Sequence, residues 1–125
     1  MRLTKAAAKK ILSVYAKAWT TRNPKLLQTI FEQDARYFEK YYSRRMYGLK
    51  EIEKYWTDRV ANGEKNIRFK LQAYYVDGNT LIAEWEASFI DLRDKRKRKC
   101  IYEVAIMEIS RNMKIKAHRE FWDTK

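Results

Sequence analysis

SVYAKAWTTRNPKLLQTIFEQDARYFEKYYSRRMYGLKEIEKYW, from Ser13 to Trp56, changes its hydrophobic period three times within one short stretch. Ile11, Val14, Tyr15, Ala18 and Trp19 recur at the spacing of one helix face, with Thr4 placed to cap the start. Asn23-Pro24 closes that helix and opens another. Asparagine supplies a capping oxygen, and proline suits a first turn whose N–H needs no partner. Leu26, Leu27, Ile30 and Phe31 then predict a short second helix, and after Asp34 the residues ARYFEKYY turn to a strand-like aromatic pattern. Gly48 reads as a turn. Leu49, Ile52, Tyr55, Trp56 and Val60 form the stripe of a third helix, ended by Asn62-Gly63.

Downstream, the period becomes two. Ile67, Phe69, Leu71, Ala73 and Tyr75 alternate with polar residues as far as the hairpin signal Asp77-Gly78-Asn79. Leu81, Ala83, Trp85, Ala87 and Phe89 form the next inward row, with Glu84, Glu86 and Ser88 opposite. A charged hairpin, DLRDKRKRK, leads to a strand from Lys99 to Ser110, and a turn at Arg111-Asn112 to a last strand from Met113 to about Asp123. Helices gathered on one face of a bent sheet make an α+β cone, a single domain spanning 1–125. The opposite face carries Glu84, Glu86, Tyr102, Val104 and Ile106, a mixture apolar enough to predict a homodimer through the outer sheet face.

The composition narrows the class. Of 125 residues 46% are hydrophobic, which places the chain among globular domains rather than disordered ones. No apolar run approaches the roughly 20 residues that span a bilayer. The opening MRLTKAAAKKILSVYAKAW is basic but runs straight into an amphipathic pattern, without the compact apolar stretch or cleavage site of an export signal. One cysteine, Cys100, leaves no internal disulfide and no cysteine metal cluster. The expected location is cytoplasmic. The net charge of +12 favours anionic partners, or serves solubility alone.

The order of these motifs resembles the nuclear transport factor 2-like superfamily, in its SnoaL-like and ketosteroid-isomerase-like branches. YAKAWTTRNPKLLQTIF, DARYFEKYY, GLKEIEKYW, LIAEWEASF and the terminal IKAHREFWD carry the resemblance over nearly the whole chain. It implies the cone-shaped NTF2-like (cystatin-like) fold, three N-terminal helices packed on a strongly curved mixed, mostly antiparallel β-sheet. Laid against the steroid isomerases without a gap, Tyr15 falls on the tyrosine that donates to the substrate oxygen and Glu39 on the carboxylate that shuttles a proton. Phe31 and Trp56 replace supporting tyrosines, and Ala105 stands where the protonated acid of the oxyanion hole belongs. That loss removes a principal electrostatic stabiliser and disfavours steroid isomerisation.

Strand parity nominates the interior independently. Glu103 shares a face with Ile101, Ala105, Met107 and Ile109; His118 and Glu120 share one that ends in Trp122; Tyr37, Glu39 and Tyr41 come from the first strand. With Tyr15, Trp19, Phe31, Trp56 and Trp85 these line an aromatic box that suits a flat, mostly apolar ligand, or simply fill a core. Enclosed, Glu39 is a general base; otherwise it is an ion-pair partner for an arginine. Glu103 and His118 form an acid–base pair or a polar pair that fixes register. One histidine with two carboxylates is a poor metal site, so neither metal nor cofactor is expected. The cations Arg93, Lys95, Arg96, Lys97, Arg98 and Lys99 form either a nucleic-acid patch or a solvated edge turn guarded against strand pairing. Two functions follow. One is a pocket protein that binds a small apolar molecule, or acts on it by cofactor-free isomerisation, cyclisation, dehydration or hydrolysis, with Glu39 as base, Tyr15 and His118 as donors and Glu103 orienting His118. The other is an interaction module docking an acidic protein or RNA, its cone plugged by Trp19, Trp56 and Trp85.

Overall fold

The computed structural model describes residues 2–125, the side chain of residue 41 excepted, so Tyr41, expected on the inner face, lies outside the described side chains. Helix α1, Lys5–Thr20, starts where Thr4 accepts a hydrogen bond from the Ala7 N–H, and it buries Ala8, Ile11, Leu12, Tyr15, Ala18 and Trp19. The expected second helix is a 3-10 segment, Pro24–Thr29, capped by the Asn23 side chain. Six residues are too few to sustain an α-helix. Phe31, expected to close it, begins strand β1, Phe31–Glu39, because the Ile30 carbonyl already accepts from the Ile115 N–H.

After a short 3-10 turn, Lys40–Tyr42, comes a strand the hydrophobic pattern did not announce: β2, Arg44–Tyr47, in which only Met46 is buried. Helix α2, Leu49–Trp56, buries Leu49, Ile52 and Trp56, and runs on into a wider π turn over Thr57–Ala61 that ends at Asn62. Four long strands complete the chain: β3 Glu64–Asp77, β4 Thr80–Asp91, β5 Lys97–Ile109 and β6 Ile115–Thr124. They form one six-stranded sheet in the order β2-β1-β6-β5-β4-β3. Every pairing is antiparallel except β1 with β6.

The expected inner row of β4 is buried from Leu81 to Phe89. Strand β3 follows its predicted parity only to Leu71. A register shift between Leu71 and Ala73 moves Tyr74 and Val76 against the core, leaving Tyr75, expected inside, 57% exposed. A second shift, between Lys65 and Arg68, brings Glu64 opposite Asp91. That shift decides the composition of the site. Among the described residues no helix is long and apolar enough to cross a membrane.

Candidate functional site

The interior of the cone divides into a packed half and an open half. Trp85, Phe31, Met107, Ala105 and His118 lie in the packed half, each at most 1% exposed, and although expected to line a pocket or to act in it they form no part of the cavity wall. The reason is crowding. Tyr15 sits across the middle of the cone, with its ring centroid 5.2 Å from Trp85 and 5.5 Å from His118, and seals that end.

On the other side of Tyr15 is a cavity of about 310 Å³. Tyr15, Trp19, Tyr37, Trp56, Glu103, Glu120 and Trp122 line it, as the parity argument expected. So do Tyr55, Arg59, Glu64 and Phe89, with Arg93 and Lys99 at the rim. Tyr15 and Trp56 meet edge to face at 5.2 Å, an arrangement that holds aromatic walls in place.

Two of the carboxyl groups on this wall, Glu103 and Glu120, form a pair. Glu103 on β5 and Glu120 on β6 lie diagonally across the strand pair, since Ala105 is the register partner of Glu120 and Trp122 that of Glu103. They are 1% and 6% exposed. Burial drives the carboxyl pKa of Glu103 well up, and the Glu120 charge and a hydrogen bond with that side chain raise it further. Burial pushes Glu120 up to about 7. Two carboxyls so close and so poorly solvated resist ionising together, so the pair keeps a proton at neutral pH. The Trp85 indole N–H favours the charged form of Glu103 without meeting the geometry of a hydrogen bond.

Behind the pair, the Tyr15 hydroxyl lies 3.3 Å from His118 Nε2 and 3.3 Å from the Tyr37 hydroxyl. Burial lowers the His118 pKa to about 3, so the imidazole is neutral and serves as a hydrogen-bonding partner of Tyr15 rather than a charged acid. Glu103 Oε2, Glu120 Oε1 and His118 Nδ1 are buried without a hydrogen-bond partner among the described residues. One donor atom from each of these residues falls within 4.8 Å of the others, so this is where a cation would find ligands. Burial also raises the Tyr15, Tyr37 and Tyr55 pKa values, and all three remain neutral hydrogen-bond donors.

Glu39 faces inward and is 6% exposed, yet it does not line the cavity. Its Oε1 accepts from Arg59 Nη2 at 2.7 Å, and Arg44 Nε stands 4.0 Å from its Oε2. Arg59 is on the cavity wall, where its charge also holds down the pKa values of Glu64 and Glu120. Sequence reasoning had no means of naming Arg59, because the π turn that aims it has no periodic signature. Glu64 was missed for another reason. Alternation counted back from Phe69 puts Lys65 inside, and the register shift after Lys65 reverses this. Glu64 Oε1 accepts from Trp19 Nε1 at 2.8 Å, and burial raises its pKa to about 7.

The basic hairpin is partly neutralised. Lys99 bonds Asp91 at 2.9 Å and Asp94 at 3.0 Å, and Arg93 folds toward Gly63 at the rim.

The model of the SnoaL-like domain matches residues 12–118. The chain belongs to the SnoaL-like domain family. No functionally curated protein matches the sequence. Among solved structures, TsrD from Streptomyces laurentii superposes with a TM-score of 0.84 at 14% identity, covering 97% of this chain and 91% of that one. A protein of ketosteroid isomerase-like fold from Catenulispora acidiphila, solved with trimethylamine, gives 0.78 at 19% identity over 89% and 83%. An epoxide hydrolase of the LEH-like type from M. tuberculosis gives 0.77 at 14% over 94% and 84%. At such identities the likeness is one of fold.

Proposed function

We propose that this SnoaL-like protein binds a small, mostly apolar molecule in the open half of its cone. There it performs cofactor-free acid–base chemistry: isomerisation, cyclisation, dehydration or addition of water to an epoxide. The observation that carries the reading is the Glu103–Glu120 pair on the wall of an aromatic cavity, with Glu120 poised near neutral pH. A carboxyl of that pKa can give or take a proton with little thermodynamic penalty.

Glu120 is then the proton carrier and Glu103 the group that retains the shared proton. Tyr15, held by His118 and Tyr37, donates to an oxygen that gains charge. Glu39, the base that the resemblance nominates, acts instead through Arg59, whose guanidinium it positions on the wall. Aromatic faces from Trp19, Tyr55, Trp56 and Trp122 suit a flat ligand. The reading also places the protein in the cytoplasm and pairs two copies through the outer face of β4 and β5, where Tyr102 is 42% exposed.

A thermal-shift screen against aromatic, terpenoid and steroid-like compounds tests this, repeated on Glu120→Gln and on Trp56→Ala. The reading expects a class of compounds that raises the melting temperature, loses that effect in Trp56→Ala, and is turned over by the unsubstituted protein but not by Glu120→Gln. Stabilisation that Trp56→Ala leaves intact would move the ligand elsewhere and refute the assignment.

A further inference from the structure

We infer that the outer face of the sheet, at its β2–β1–β6 end, binds single-stranded nucleic acid. Four rings follow one another across this end. Tyr47 and Phe38 have centroids 6.5 Å apart, Phe38 and Tyr42 5.4 Å, and Tyr42 and Phe121 6.2 Å. Tyr47 is 51% exposed and Tyr42 46%, so the row presents ring surface to solvent rather than closing a core.

The strand register sets arginines among these rings. Phe38 has Arg45 as its partner on one side and Arg119 on the other, and Arg36 stands opposite Tyr47. None of these three arginines is in an ion pair among the described residues. Glu51, which reaches this end from α2, accepts a hydrogen bond from the Tyr47 backbone N–H. The arrangement is distinct from the cavity, which opens on the opposite face of the sheet.

The chemistry selects the partner. Every base has a flat face, so a ladder of exposed rings stacks bases without regard to sequence, and guanidinium groups between the rings meet the phosphates. An acidic peptide would engage the cations and leave the rings without a role. A net charge of +12 draws a polyanion to the surface from a distance. The charged hairpin has cations but no rings, and Lys99 there is already paired.

The test is fluorescence anisotropy with a labelled oligouridylate of about 15 nucleotides, a length that covers one small binding face. Saturable binding is expected at about 50 mM salt, weakening on the order of twentyfold at about 200 mM as three phosphate contacts are screened. Tyr47→Ser should weaken binding at least fivefold, for the loss of one stacking partner, with an unchanged circular dichroism spectrum. Arg45→Ser should lower the salt dependence as well as the affinity. No binding at the lower salt overturns the proposal, as does binding that both substitutions leave unchanged. Equal affinity for polyglutamate overturns it too. So does sedimentation showing that the two substitutions split a dimer, because the strip would then be an interface between copies of this chain.

Discussion

Replacing Glu120 by glutamine should alter the pH dependence of folding in a direction that follows from the site. In the folded chain Glu120 titrates at about 7, against 4.5 when unfolded. Between those values the folded protein holds a proton that the unfolded chain has released. Its contribution to stability is therefore largest below the unfolded value and is lost as the pH rises through the folded one. A difference of one in pKa is worth about 1.4 kcal/mol, so the loss amounts to about 3 kcal/mol. No discount for solvent applies, since the side chain is almost fully buried. His118 contributes with the opposite sign, because its pKa falls from 6.5 to about 3 and stability is lost as the pH falls through that window. Glu64 contributes with the same sign as Glu120. Both are present in either protein and cancel in the difference between them, and Glu103 cancels as well where burial, the largest cause of its raised pKa, keeps it protonated with or without the Glu120 charge. Urea denaturation of the unsubstituted protein and Glu120→Gln, from about pH 4.5 to about pH 8, should show their stability difference moving by about 3 kcal/mol in favour of the variant. The amide's own hydrogen bonds shift the offset but not this slope. A difference constant to within about 0.5 kcal/mol would refute the enclosed carboxyl pair.

Trp19→Phe removes the indole N–H that holds Glu64 down, so a carboxyl NMR titration should find the Glu64 pKa higher than in the unsubstituted protein. Gly63→Ala would set a Cβ 2.4 Å from the Arg59 carbonyl oxygen, and the π turn must shift. We expect a loss of about 1–3 kcal/mol by chemical denaturation. The turn glycine Gly78, at φ +62 with open space around it, should cost only about 1 kcal/mol as alanine. Trp85→Ala should cost about 3–5 kcal/mol by the same measurement, because its ring fills the packed half of the cone against Tyr15 and Phe69.

Much of the cone is written in periodicity. The stripes of α1 and α2 and the inward row Leu81 to Phe89 emerge intact, because one buried face enforces one period along an unbroken element. Strand β2 was silent: a four-residue edge strand with a single buried side chain carries no alternation to detect. The candidate site was legible where strands run regularly: parity puts Glu103, His118 and Glu120 on inward rows of β5 and β6, and one donor atom of each lies within 4.8 Å of the others. It failed where backbone irregularities act. The shift after Lys65 turns Glu64 inward, and the π turn carries Arg59 to Glu39 across 20 residues of sequence. Parity correctly sent Glu39 inside. It could not say that an arginine would meet it there, and that pairing separates an interior carboxylate from one that faces a ligand.

Carboxyl carbon NMR of glutamate-labelled protein, followed across pH, tests the shared proton most directly. Two glutamates should titrate near neutrality, one signal absent from Glu64→Gln and the other from Glu120→Gln, while Glu103 should stay protonated well above the range of an ordinary carboxyl. If every glutamate titrates at or below about 5, as exposed side chains do, the cavity wall holds no proton-sharing pair and the acid–base mechanism fails.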